Sequence, residues 1–141
     1  MLKTRKKRGS DRTLAERASV QHIVGEMEID LAACRAMIAR TGLTADAYCR
    51  EHLLGVEGPT DDMHELHKEA QCTKWFVNRK AIDIVDRALT LSGGAGYMSK
   101  HPLSRMYRDV RAGPFMQPFS PLEAFEYIGS VALGQSPELE I

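Results

Sequence analysis

Apolar residues recur at spacings of three and four between Thr13 and Arg40, which is the period of an amphipathic helix. They form one stripe: Val20, Ile23, Val24, Met27, Leu31, Cys34 and Ile38. Thr13 with Glu16 has the pattern of a capping box, and Gly42 is a typical helix stop. The pattern predicts a helix of about 40 Å at the usual rise per residue. A further apolar group is expected to widen its buried face: Ile29, Ala33 and Ala36.

A second long helix is predicted from about Asp61 to Leu91. Asp61 and Asp62 suit the positive end of its dipole, and Gly93-Gly94 ends it. Its apolar stripe is Met63, Leu66, Ala70, Val77, Ala81, Ile84, Val85, Ala88 and Leu91. Between the two long helices, residues 44–54 predict a short helix and residues 55–60 a loop.

Two shorter helices are predicted in the last third of the chain. Pro102 suits the first turn of one that extends to about Arg111, after which Gly113 and Pro114 break the chain. The other stops near residue 134 and has a capped start formed by Ser120, Pro121 and Glu123. No strand pattern is visible. The sequence therefore predicts an all-α, antiparallel four-helix bundle over residues 13–134, with a basic arm at 1–12 and a tail at 135–141.

Charge and composition narrow the function classes. The 141 residues suffice for one domain, and 19 basic residues balance 19 acidic ones, so we expect no nucleic-acid partner. The basic run at residues 3–8 is either a solvated terminus or a phosphate contact. No apolar run reaches the roughly 18 residues that a membrane span needs. Three cysteines without metal-type spacing favour the reducing cytoplasm, with Cys34 as a small core residue.

Few segments are candidates for chemistry. The run from Gly93 to Tyr97 follows a helix rather than a strand, which excludes a dinucleotide fingerprint. It is either a helix cap with a tight turn or a place where a ligand approaches free backbone amides. His64 and His67 lie three apart, but no third ligand has suitable spacing, so we expect exposed histidines and no metal. Asp109 is expected to pair with a cation of a neighbouring helix.

The order of these features resembles the C-terminal signature of acyl-CoA dehydrogenases. The resemblance lies in two runs without a gap: Ala88-Leu89-Thr90-Leu91-Ser92-Gly93-Gly94-Ala95-Gly96-Tyr97 and Pro102-Leu103-Ser104-Arg105-Met106-Tyr107-Arg108-Asp109-Val110-Arg111. The segment from Leu14 to Met27 also resembles the first bundle helix of that family. Its members are dimers or tetramers built from an N-terminal helical domain, a middle β-domain and a C-terminal four-helix bundle.

The resemblance implies an FAD-dependent oxidoreductase that takes a hydride from an acyl-CoA after a carboxylate removes the α-proton. The C-terminal bundle binds the pyrophosphate and adenine of a neighbouring subunit's FAD. The residues carried over as cofactor contacts are Gly93, Gly94, Gly96, Thr90 in place of a glutamine, Lys7 in place of an arginine, and Arg8 beside it. The implied partners are a second copy or the missing N-terminal and middle domains, with acyl-CoA bound only by a complete enzyme.

The catalytic base is where the chain departs from the family. Gln117-Pro118-Phe119 stands where many members carry glutamate-glycine-threonine, and an amide cannot accept an α-proton. General-base catalysis contributes about 10² to 10⁴ in rate. The departure indicates either different chemistry on the same fold or a non-dehydrogenating member, and we expect the isolated chain to be inactive. The alternative is a non-catalytic bundle that mediates oligomerisation.

Overall fold

The computed structural model describes residues 2–6, 9–52, 60–116 and 119–137. These residues form helices α1 (Ala18–Glu51), α2 (Thr60–Ser92), α3 (Gly94–Tyr97), α4 (Pro102–Asp109) and α5 (Pro121–Ala132), with 3₁₀ turns at Leu14–Glu16 and Val110–Phe115. Within the described ranges there is no strand, and an isolated antiparallel bridge pairs Lys6 with Thr13. The all-α prediction is confirmed.

Helix α1 differs from its prediction at both ends. The Glu16 carboxylate accepts hydrogen bonds from the Thr13 backbone amide at 2.6 Å and the Thr13 hydroxyl at 2.8 Å, but this pair caps the 3₁₀ turn. Arg17 is extended and α1 begins only at Ala18. The predicted stop at Gly42 is wrong, because α1 continues through it, and residues 44–51 of the predicted separate helix are the end of α1. Residues 53–59, which include the last two positions of that predicted helix and most of the predicted loop at 55–60, lie outside the described residues.

Contacts on one side of Gly42 explain why the helix continues. The Arg40 side chain lies 3.0 Å from the Glu69 carboxylate, and the Thr41 and Thr73 hydroxyls lie 2.7 Å apart. A glycine inside a helix costs only about 1 kcal/mol relative to alanine, which such contacts offset.

The other boundaries agree closely with the sequence pattern. Helix α2 starts and ends one residue outside its prediction, and Gly93 follows it with φ of 63°. Helix α5 begins at Pro121, where the Ser120 amide donates to the Glu123 carboxylate at 2.7 Å. The break predicted after α4 is a 3₁₀ turn that contains Pro114.

The helices contribute to two compact units. The first comprises Met1–Ala33 and Lys80–Arg111. In it, α1 and α2 run antiparallel, and the Asp30 carboxylate, in a residue only 9% exposed, receives Lys80 Nζ at 2.8 Å and Arg87 NH1 at 2.6 Å. These hydrogen bonds, first that of Lys80 and then that of Arg87, hold the pKa of Asp30 below its usual value.

The second unit comprises Cys34–Arg79 and Ala112–Ile141. Its core includes Cys34, as predicted, and Tyr127, which is 5% exposed. His64 Nδ1 lies 2.7 Å from the Tyr127 hydroxyl, and His67 meets the Tyr127 and Phe119 rings edge-on at 5.0 and 5.3 Å. The expectation of exposed histidines is therefore wrong, because aromatic rings from the α5 region cover them.

Some predicted contacts are absent from the described residues. In the second apolar group of α1, Ile29 is 71% exposed and Ala36 is exposed too, so this group does not widen the buried face as expected. Ile38, the last residue of the first stripe, is itself 53% exposed. Asp109 pairs with Arg105 one turn earlier on α4, not with a neighbouring helix, since both side chains lie on the exposed face.

Candidate functional site

The glycine turn between α2 and α3 presents backbone on the surface of the first unit. Gly93 adopts φ of 63°, and its amide donates to the Thr90 carbonyl at 3.2 Å, which closes α2. Gly94 and Ala95 are exposed and form the first turn of α3. Amides in a first helical turn have no intrahelical acceptor. The turn therefore has donors available for an external acceptor.

Gly96 has a different task from the other two glycines. It is buried, and a Cβ on it would lie 1.7 Å from Ser92 Oγ and 3.1 Å from Leu89 Cδ1. Ser92 is 2% exposed, and its hydroxyl donates to the Leu89 carbonyl at 2.7 Å. Gly96 thus allows α3 to pack on the end of α2.

Beside this turn lies an open cleft of about 280 Å³. It is lined by Arg5, Lys6, Leu14, Arg17, Thr90, Leu91, Ser92 and Gly93. The Arg5 guanidinium donates to the Ser92 carbonyl at 2.8 Å, which joins the N-terminal segment to the end of α2 across 87 positions of sequence.

The cleft contains some of the predicted cofactor residues and adds others. Thr90 and Gly93 line it, whereas Gly94 lies on the adjacent exposed turn. Lys7 and Arg8 lie outside the described residues. Arg5, Lys6 and Arg17 line the cleft but were not among the predicted cofactor contacts, although the basic run at 3–8 was a signal for the first two.

The lining chemistry suits an anion. Three cationic side chains face the cleft, and its described lining includes no carboxylate. Arginine presents several donors in a fixed fork that matches phosphate oxygens. The exposed Thr90 hydroxyl adds a further donor. The residues present therefore fit the phosphate part of a nucleotide cofactor. Phosphate contact was one of the two interpretations of the basic run at residues 3–8.

A second feature lies in the other unit, at the sequence position of the family's base. Gln117 itself is outside the described residues. The Lys74 ammonium on α2 donates to the carbonyl of Met116 and, at 2.8 Å, to that of Phe119. Nothing in the sequence pattern indicated this role for Lys74, because its acceptors are backbone atoms some forty residues away.

Comparison with known proteins decides the family. Residues 1–117 match the sequence model of the acyl-CoA dehydrogenase C-terminal domain. The chain belongs to the acyl-CoA dehydrogenase family. Members of this family are flavin-dependent, and the chain corresponds to their C-terminal helical domain.

Its relatives within the acyl-CoA dehydrogenase family include proteins with another activity. The chain is 38% identical over 120 residues to amino sugar nitrososynthase DnmZ of Streptomyces peucetius, covering 84% of this chain and 28% of DnmZ. Identity to the putative acyl-CoA dehydrogenase YdbM of Bacillus subtilis is 32% over 96 residues, covering 67% and 22%.

A solved structure agrees with this relationship. The chain superposes with a TM-score of 0.80 and 33% identity on KijD3 in complex with FMN and dTDP-3-amino-2,3,6-trideoxy-4-keto-3-methyl-D-glucose. The match covers 96% of this chain and 31% of KijD3. The chain thus spans less than a third of the length of these acyl-CoA dehydrogenase family relatives. None of the helices in the described ranges is long and apolar enough to cross a membrane.

Proposed function

We propose that this chain is the C-terminal domain of a flavin-dependent enzyme that oxidises the amine of a nucleotide-linked amino sugar. The observation that carries the proposal is Gln117, which stands where many dehydrogenases of this family carry their catalytic glutamate. Greater identity to DnmZ than to YdbM supports it, as does the amino sugar nucleotide bound to KijD3.

The chemistry of amine oxidation accounts for the missing base. A dehydrogenase must remove a proton from carbon, which needs a strong, positioned base. Conversion of an amine to a nitroso group is a four-electron oxidation at nitrogen, whose lone pair is the nucleophile. Flavins supply redox and dioxygen chemistry when bound. The chain's own residues then bind and orient, and an amide at position 117 is compatible with that role.

For the cofactor we propose FAD, held at the cationic cleft beside the glycine turn. Arg5, Lys6 and Arg17 supply the charge for two phosphate groups, while Thr90 and Gly93 supply short donors. FMN has one phosphate, and KijD3 carries FMN. Binding of FAD, which has two phosphates, should therefore depend more strongly on the cations of the cleft than binding of FMN does.

The cofactor test uses the complete protein, with the missing N-terminal and middle domains supplied as described below. We expect Arg17→Ala to weaken FAD binding by roughly tenfold and FMN binding by less, because charge-assisted contacts to phosphate are lost. Arg12→Ala, an exposed arginine outside the cleft, is the matched control. Equal losses for both cofactors would contradict a pyrophosphate site here.

The activity test grafts the whole chain in place of the matching C-terminal part of DnmZ and, separately, of YdbM. We expect the DnmZ graft to retain flavin and oxidise a dTDP-linked amino sugar, and the YdbM graft not to dehydrogenate acyl-CoA. Gln117→Glu should raise acyl-CoA oxidation by the YdbM graft by about 10² or more. Acyl-CoA oxidation with Gln117 intact, together with an inactive DnmZ graft, would refute the proposal.

Further proposals concern the setting of the domain. The partners are the N-terminal and middle domains or a second copy of the chain, because the cleft is open and offers only one wall of a flavin site. We place the protein in the cytoplasm on its cysteine usage. Alone, the chain is expected to copurify without flavin, and a yellow preparation with flavin absorbance would contradict this.

A further inference from the structure

Gln71 on α2 has a buried amide group of which only one end is paired. The residue is 3% exposed, and its Nε2 lies 3.1 Å from His67 Nε2, to which it donates. Its Oε1 is also buried, and no atom in the described part of the chain forms a hydrogen bond with it. A buried polar atom without a partner is destabilising, so native structures pair almost all such atoms with protein or with an internal water.

The orientation of the amide does not decide the matter. If the group were rotated so that Oε1 faced His67, the NH2 group would take the buried position of the oxygen and would itself lack an acceptor. In either orientation, one end of the amide is left for a further polar group. The requirement therefore belongs to the position of Gln71 in the fold.

A small cavity adjoins Gln71 within the second unit. Its volume is about 10 Å³, close to the roughly 10–15 Å³ that one water molecule requires. Much of its wall is apolar and is formed by Trp75, Pro114, Phe119, Pro121 and Ala124. Such a space admits one water-sized molecule and excludes a larger ligand.

The rest of the wall supplies polar partners. Besides Gln71, three polar side chains line the cavity: Lys74, Asn78 and Ser120. The Lys74 ammonium has three hydrogens, of which backbone carbonyls take two. The Ser120 hydroxyl accepts from the Glu123 amide at 3.5 Å, which leaves its own hydrogen to donate. An internal water makes about three hydrogen bonds, and this wall provides donors and acceptors for that number.

We propose that the cavity is a binding site for one internal water molecule, held by the Gln71 amide. The water donates one hydrogen to Gln71 Oε1 and accepts from Lys74 or Ser120. Since Gln71 and Lys74 belong to α2 and Ser120 is the N-cap of α5, this water joins the two helices. The site serves the packing of the second unit and does not depend on the flavin proposal.

The first experiment detects the water by nuclear magnetic resonance in the 141-residue chain. The Ala124 methyl group lines the cavity and the residue is 3% exposed, so its protons are shielded from bulk solvent. We expect a nuclear Overhauser effect between this methyl group and water in the wild type. Gln71→Met, which keeps the volume but removes both polar atoms of the amide, should abolish it. Gln135→Met, at an exposed position of the same unit, is the matched control and should keep it.

Gln71→Met also separates bound water from a relayed signal. Lys74 and Ser120 have hydrogens that exchange with solvent, and both remain in this variant. A signal that passed only through those hydrogens would survive the substitution, whereas the signal of a water held by Gln71 would not. Circular dichroism establishes that the variant is folded, and if it is not, the wild-type signal and the following measurement decide.

A crystal structure of the chain provides the second measurement. One isolated peak of electron density is expected in the cavity, about 2.7–3.2 Å from the Gln71 amide. Three results would overturn the water site. One is a wild-type chain without the Ala124 signal, and another is a folded Gln71→Met that retains it. The third is a cavity that the crystal structure shows to be empty or filled by a protein side chain.

Discussion

At the residue scale, the three glycines of the turn have three different reasons to be glycine. Gly93 has room for a side chain, because nothing lies within 4 Å of an added Cβ, but it adopts φ of 63°, which other residues rarely tolerate. Gly96 has ordinary backbone but no room for a Cβ. Gly94 has an ordinary backbone conformation and open space around an added Cβ, so the fold of this chain does not explain why the residue is glycine. The sequence motif alone could not distinguish these roles, because they depend on Ser92 and on backbone angles.

This separation leads to a prediction for alanine substitutions. Gly96→Ala should destabilise the isolated chain by about 1–3 kcal/mol, because the new Cβ displaces the Ser92 hydroxyl from its hydrogen bond. Gly94→Ala should leave stability within about 0.5 kcal/mol but reduce flavin retention in the DnmZ graft. Urea unfolding and flavin absorbance measure the two effects. A strongly destabilised Gly94→Ala would assign that glycine to the fold instead.

His67 illustrates what the spacing of histidines did not reveal. Its distance from His64 in sequence predicted a shared exposed face, whereas Phe119 and Tyr127, from distant sequence, cover it. Burial, and next the charge of His64, lower the pKa of His67. The neutral ring is consistent with its Nε2 accepting from the Gln71 amide at 3.1 Å.

The lowered pKa predicts a pH dependence of stability. In the unfolded chain His67 has the ordinary histidine pKa of about 6.5, whereas in the folded chain its pKa is lower. At a pH below about 6.5 the unfolded chain therefore binds a proton more readily than the folded chain. The free energy of unfolding consequently falls as the pH is lowered from about 6.5 through the folded pKa. His67→Gln should flatten this slope between about pH 7.5 and 5.5 while keeping an acceptor for Gln71. His22→Gln, on the exposed surface of α1, is the control. An unchanged slope in His67→Gln would show that another group is responsible.

At the scale of elements, local signals sufficed wherever they were strong. Asp61, Asp62 and the paired glycines predicted both ends of α2 to within one residue, and Ser120 with Glu123 predicted the start of α5. Gly42 misled because the preference of glycine for helix ends is weak compared with tertiary contacts, here those of Arg40 and Thr41. The cleft could be only half predicted, since Arg5 and Ser92 come together through folding and not through a local motif.

The continuity of α1 predicts that Gly42→Ala is stabilising. Gly42 is exposed, lies inside the helix and has nothing within 4 Å of an added Cβ, so alanine should raise the free energy of unfolding by about 0.5–1 kcal/mol. Gly93→Ala is the opposing control, because its positive φ makes the same substitution unfavourable by about 1 kcal/mol. Thermal unfolding followed by circular dichroism compares them. A destabilised Gly42→Ala would indicate that α1 ends there after all.

At the scale of the whole molecule, both units leave large apolar side chains on the surface. In the first unit, Ile29 and Tyr97 are 71% and 79% exposed. In the second, Leu43, Leu122 and Leu133 are 68% to 78% exposed. The relatives are about three times as long as this chain, and exposed apolar surface of this kind is typical of a contact site for another domain or chain. This is also the observation that favours an association role if the flavin proposal fails.

We therefore expect the isolated chain to self-associate at micromolar to millimolar concentration, driven by burial of these side chains. Sedimentation velocity over a concentration series measures it, and the weight-average sedimentation coefficient should rise with concentration. Ile29→Gln combined with Leu43→Gln should weaken the association by roughly tenfold, since each removes a large apolar group from an exposed helix face. Ser19→Gln, an exposed polar position on α1, should leave it unchanged. A chain that stays monomeric across the series would mean that its exposed apolar surface does not drive association by itself.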